Sequence, residues 1–110
     1  MRIIPVMHLL VAIIAAMLAI PLIQRKVQMN HWYGFRLPAA FESKAAWFDI
    51  NHYGGRLLLA WAAIIAVTAT VGLNLEKQHL LVYCWSSLGI IMGGLAVMAY
   101  MASSYAKKRK

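Results

Sequence analysis

Arg36 lies between Gly34, which permits a tight turn, and Pro38, which fixes its own φ, so its guanidinium can be presented in a fixed direction. A fork of N–H donors held that way suits a lipid phosphate, a carboxylate such as Glu42 or Asp49, or the exposed carbonyls of a helix end. Asn30 and Asn51 flank it in sequence, and their amides can tie loop backbone together. Trp47 and Asn51 are four apart, which puts both on one face of a helix. These residues read first as a rigid platform and second as a ligand or partner surface.

Other groups suggest chemistry with less support. Asp49 and His52 are three apart, and His31 could approach them as a metal set, but no tight ligand motif accompanies them. Glu42 and Asp49 could form an acid/base pair, although in a basic segment ion pairing with Lys44 or Arg36 is the simpler use. His8 and His79 could face each other across a haem; a hydrogen bond from His8 to a neighbouring helix is the plainer expectation. Cys84 is the single cysteine, so no disulfide forms within the chain. No Gly-rich phosphate loop, Ser/His/Asp order or HExxH helix occurs. The expectation is no enzyme, no metal and no cofactor.

The elements that must hold these residues follow from hydropathy. Three runs, 3–23, 57–75 and 80–102, contain no Asp, Glu, Lys or Arg. At about 1.5 Å of rise per helical residue each reaches roughly 30 Å, the thickness of a hydrocarbon core. Hydrophobic residues make up 63% of the 110 and charged residues 13%, outside the usual range of globular domains. A chain of this length cannot bury three such helices in a core of its own. The expected fold is all-α: an integral membrane domain of three transmembrane helices, with an interfacial segment at 24–56 and a basic tail at 103–110. The first run is longer than a signal-peptide core and is followed by Gln24-Arg25-Lys26, so it is expected to be retained.

Charge sets the orientation. Of the 11 basic residues, Arg2 and Lys77 fall at one end of such a bundle. Arg25, Lys26, Arg36, Lys44, Arg56, Lys107, Lys108, Arg109 and Lys110 fall at the other. That asymmetry predicts an outside N-terminus and a cytoplasmic middle segment and tail. Tyr83, Trp85 and Tyr100 fit an aromatic belt. The net charge of +8 therefore points to anionic headgroups, with the tail as a topology anchor, and not to nucleic acid.

Helices in lipid associate through small residues. Gly89 and Gly93 form a GxxxG pair followed by Gly94; Ala62, Ala66 and Thr70 step by four; Ala12 and Ala16 lie beside Ala15 and Ala19. These faces serve either packing within the chain or a homo-oligomer. Pro5 falls in a first turn and Pro21 in a last turn, where each is tolerated or ends the helix.

Within the middle segment, 30–38 is aromatic and interrupted by Gly34 and Pro38, and should be irregular. Residues 43–53 then read as a short interfacial amphipathic helix capped by Ser43, with Trp47, Ile50 and Tyr53 on one side. Gly54-Gly55 is expected to break it before the second span.

The string Asn30-His31-Trp32-Tyr33-Gly34-Phe35-Arg36-Leu37-Pro38, followed by Ser43, Trp47, Asn51 and Gly54-Gly55-Arg56 entering a span, resembles the signature of the SdpI family over about residues 25–73. The family pattern has Thr where Leu37 stands and commonly a basic residue where His52 follows Asn51, and larger members carry additional N-terminal spans. The resemblance implies a multi-pass protein of the bacterial inner (cytoplasmic) membrane that gives immunity to a membrane-active peptide toxin, with a link to a cytoplasmic regulator. It implies as site residues Asn30, Tyr33, Gly34, Arg36, Pro38, Trp47, Asn51 and Gly55. The competing class is a small oligomeric channel or transporter, with Thr68, Thr70, Ser86 and Ser87 lining a pore. An enzyme acting on lipid-linked substrates through Arg36, His31 or Asp49 comes last, since the chain has three acidic residues in all.

Overall fold

The computed structural model describes residues 2–109, so Lys110 of the basic tail lies outside the described residues. It contains three long helices: α1 (Ile3–Ile23), α2 (Lys44–Asn74) and α3 (Leu80–Lys108). Short 3-10 turns at Pro38–Glu42 and Lys77–His79 join them, and no strand occurs among the described residues. Each long helix is long and apolar enough to cross a membrane. The molecule measures 52 × 23 × 18 Å.

The middle helix α2 lies between the other two. Along α1 the buried positions include Ala12, Ala15, Ala19 and Leu22. On the later part of α2 they are Ala62, Ile65, Ala69 and Gly72. The register differs from the expected Ala62/Ala66/Thr70 line, because helical steps of three and four alternate and Thr70 turns outward. Against α3, Trp61 fills the gap opposite Gly94, where an added Cβ would come within 2.6 Å of the indole. Its Nε1 donates to the Ile91 carbonyl at 3.1 Å. Gly89 and Gly93 meet nothing within 4 Å, so the GxxxG pair plays no part in packing within the chain.

The helix ends are closed by identifiable groups. At the end of α1, Arg25 adopts φ +58, Lys26 N–H donates to Pro21 O and Arg25 N–H to Leu22 O. That is a Schellman closure with arginine in the position glycine usually takes. Pro21 therefore stays inside the helix and accepts the closing bond. At the opposite end of the molecule, the Arg2 guanidinium donates to Leu73 O and Leu75 O, both at 2.6 Å, where a cation meets the negative end of α2. There the Tyr83 ring and Pro5 both pack against Gly72, and the Tyr83 hydroxyl lies 2.8 Å from His8 Nδ1. The expected His8 contact with a neighbouring helix is present, while Tyr83 points inward and does not join Trp85 and Tyr100 on the surface.

One expectation is corrected. Gly54 and Gly55 do not break the chain, and α2 is continuous from Lys44 to Asn74. The short helix read at 43–53 is its first part. Glycine retains its N–H, so it stays in a helix at a cost of about 1 kcal/mol, and what it supplies is room for neighbours. Within the basic tail, α3 runs on through residues 103–108.

Candidate functional site

The residues singled out by sequence meet at one end of the bundle, in a platform built from 24–53 and the last turns of α3. Its first piece is a turn organised by Asn30. The side-chain oxygen accepts from Trp32 N–H at 2.8 Å and Tyr33 N–H at 2.7 Å, and Nδ2 donates to Gln28 O at 2.7 Å. This Asx-type turn sends neighbouring aromatic rings opposite ways. The Tyr33 hydroxyl donates to the Leu18 carbonyl of α1, whereas Trp32 is 90% exposed. Gly34 follows at φ +114, a conformation side chains disfavour. An added Cβ there would also lie 2.6 Å from Asn51 Oδ1.

The second piece is the start of α2. Ser43 caps it by accepting from Ala46 N–H at 3.0 Å, as its sequence position predicted. Trp47 and Asn51, one turn apart, are both fully buried. Trp47 Nε1 donates to Val27 O at 2.8 Å. Asn51 Oδ1 accepts from Phe35 N–H at 2.5 Å, while Nδ2 donates to Trp47 O at 3.0 Å and Phe35 O at 3.4 Å. A buried amide is costly unless paired, and here it is paired at both ends. Gly54 leaves room for the Phe35 ring, and a Cβ on Gly55 would press on Leu22, Ile23 and the Ala19 carbonyl. His52 Nδ1 lies 2.7 Å from Ile23 O, so this nitrogen carries the donated proton.

Sequence reading missed the third piece, the end of α3. Ala106 packs into the core formed by Ala40, Trp47 and Ile50. Asp49 accepts from the Tyr105 hydroxyl and from Arg109 Nε, each at 2.7 Å. Tyr105 also stacks on Tyr53, with centroids 4.1 Å apart. The Tyr105 hydrogen bond, followed by Arg109, holds the Asp49 carboxyl below its ordinary range despite the opposing effect of burial. The same hydrogen bond holds the Tyr105 phenol above its ordinary range. A signal was available: Tyr105 and Arg109 are four apart, on one helical face, with few acidic residues for either to meet.

Arg36 stays exposed, with Nη1 on the His31 carbonyl at 2.5 Å. Asp49, one of its suggested partners, is engaged by Arg109. Pro38 opens the 3-10 turn. The suggested metal residues are dispersed: Asp49 faces α3, His52 faces α1, and the His31 ring stacks on Phe41 at 5.1 Å. Among the described residues no group of three or more His, Cys, Asp or Glu could hold a metal ion. Towards the other end of the molecule, a groove of about 530 Å³ separates α2 from α3. Thr68, Ser86, Ser87 and His79 line it, and Thr70 does not.

Three helices long and apolar enough to cross a membrane, joined by a platform whose polar groups mostly bind backbone, define a small helical protein suited to apolar surroundings. The chain belongs to the SdpI/YfhL protein family, whose model matches residues 26–105. That match runs past the signature along α3 to Tyr105, and so takes in the Tyr105 partner of Asp49 but stops short of Ala106 and Arg109. This is not a known enzyme family. No curated protein and no solved structure matches the chain.

Proposed function

We propose that this SdpI-family chain spans the bacterial cytoplasmic membrane three times, with its N-terminus outside, and gives immunity to a membrane-active peptide toxin. Family membership carries the reading. Long apolar side chains exposed along all three helices, such as Met17 at 66%, Val67 at 67% and Val82 at 66%, support lipid as the solvent. The distribution of basic residues supports the orientation. In this reading the spans bind or exclude the peptide within the bilayer. The platform touches all three helices and transmits their arrangement to a cytoplasmic regulator. Asn30, Tyr33, Gly34, Pro38, Trp47, Asn51 and Gly55 shape that platform, and Arg36 is one of its exposed cations.

The test is survival. Expressing the chain in a bacterium sensitive to such a peptide should raise the tolerated dose. Membrane-inserted protein at normal level without protection would sink the immunity role and leave the fold untouched.

One observation favours a second reading, a small oligomeric channel or transporter: Thr68, Ser86 and Ser87 share one groove. Against it, no Asp, Glu, Lys or Arg lies within the spans, where coupled transporters usually place ionisable groups. Ion or solute flux through purified protein in liposomes, with Arg36→Ala as a control, separates the two.

A further inference from the structure

We infer that the turn around Asn30 is an insertion tip for the membrane interface, and that it and its neighbouring basic residues dock anionic phospholipid headgroups. The inference rests on the membrane reading above and is independent of any toxin.

Three observations converge. The first is depth. Tyr33 bonds the carbonyl of Leu18, five residues before α1 ends. At about 1.5 Å per residue, that carbonyl lies roughly 7 Å inside the helix end. The turn therefore folds back beside α1 and does not project away from the bundle. The second is what the turn exposes. Asn30 fixes Trp32 and Tyr33 by their backbone, and Trp32 is left 90% exposed with Met29 partly exposed nearby. Tryptophan at the headgroup level keeps an apolar ring in the hydrocarbon boundary and an N–H in polar surroundings.

The third is charge. Arg25, Lys26, Arg36 and Lys44 all belong to this end of the molecule, where the only acidic residues are Glu42 and Asp49. Asp49 is held by Arg109. Arg36 spends Nη1 on a neutral carbonyl, so its charge is not neutralised by that contact. A guanidinium so placed has further donors for a phosphodiester. An acidic soluble protein would be served by a patch facing away from the spans, and the depth of the turn argues for lipid.

The full-length protein is purified in mild detergent and placed in nanodiscs of phosphatidylcholine, with and without phosphatidylglycerol. The Trp32 contribution to fluorescence, taken as wild type minus Trp32→Phe, should be quenched by lipid brominated near the headgroup. Native mass spectrometry should show phosphatidylglycerol retained in preference to phosphatidylcholine, less so at high salt. Each neutralisation among Arg25→Gln, Lys26→Gln and Arg36→Gln should lower that preference about five-fold, the equivalent of about 1 kcal/mol per basic residue.

A Trp32 signal quenched by aqueous acrylamide and untouched by brominated lipid overturns the inference. So does equal retention of the two lipids by wild type, which requires no variant to fold. Association with acidic proteins in place of lipid would also overturn it. A wild-type chain that protects against the toxin but shows no lipid preference would remove this inference alone; one that shows the preference but gives no protection would remove the immunity reading alone.

Discussion

The two ends of this molecule are held together by different forces. At the platform end, Asn30, Trp47, Asn51, His52 and Tyr33 bind backbone groups across loop and helix boundaries. Further along the bundle, towards the 74–79 turn, the hydroxyls bind their own helix: Thr68 to Ile64 O, Thr70 to Ala66 O and Ser87 to Cys84 O. One end is cross-linked by side chains, and the rest relies on contact between apolar and small residues, plus the Arg2, His8 and Trp61 bonds. In lipid, apolar contact alone gives little drive for association. The platform therefore fixes the arrangement of the helices, while the groove between α2 and α3 has more freedom.

The largest effect should come from Asn51. Asn51→Leu keeps a similar volume but removes the acceptor of the part-buried Phe35 N–H and two further side-chain hydrogen bonds. We expect a loss of about 3 kcal/mol, read as a lower unfolding temperature in detergent. Thr68→Val, which removes only a bond within one helix, should shift that temperature little. Equal shifts for the two variants would erase the contrast between the ends.

A smaller and more local effect should come from Asp49. Asp49→Asn removes the charge that Arg109 and Tyr105 hold, and should cost about 1 kcal/mol, since the ion pair is partly exposed. Because the carboxyl is held below its ordinary range in the folded protein, its contribution is present above the ordinary carboxylate pKa of about 4. It is lost as pH falls through the lower folded value. Hydrogen-exchange protection of residues 103–109, corrected for the intrinsic pH dependence of exchange, should fall on acidification in wild type and be lower at neutral pH in Asp49→Asn. An unchanged rate in that variant would mean that Ala106 and the Tyr53–Tyr105 stack hold the end of α3 without the ion pair.

What could be read from sequence follows the same division. The three long helices were legible because each property depends on residues close together: unbroken apolar length, the Ser43 cap, and the four-residue spacing of Trp47 and Asn51. The partners of Asn51 and Asp49 were not. Phe35 lies 16 residues from Asn51, and Arg109 lies 60 from Asp49, with no local period to connect them. Glycine misled in both directions. Gly54-Gly55 looked like a helix break, yet the pair stays helical because Phe35 and α1 need the space. The Gly89/Gly93 pair looked like a packing motif, yet the glycine that receives a side chain is Gly94.

That last difference gives the smallest expected effect, and it tests whether the spans contact anything besides lipid. An alanine Cβ at Gly89 or Gly93 would meet nothing within 4 Å of this chain, while alanine favours a helix over glycine by up to about 1 kcal/mol. If lipid covers this face, the double variant Gly89→Ala/Gly93→Ala should unfold at the same temperature as wild type or slightly higher. Gly94→Ala, whose Cβ would press on the Trp61 indole, should unfold lower. A clear loss in the double variant, together with a smaller species on chemical cross-linking, would mean that a second copy covers the face. The free half of the bundle would then be held by a neighbour, and the contrast between the two ends would belong to the isolated chain alone.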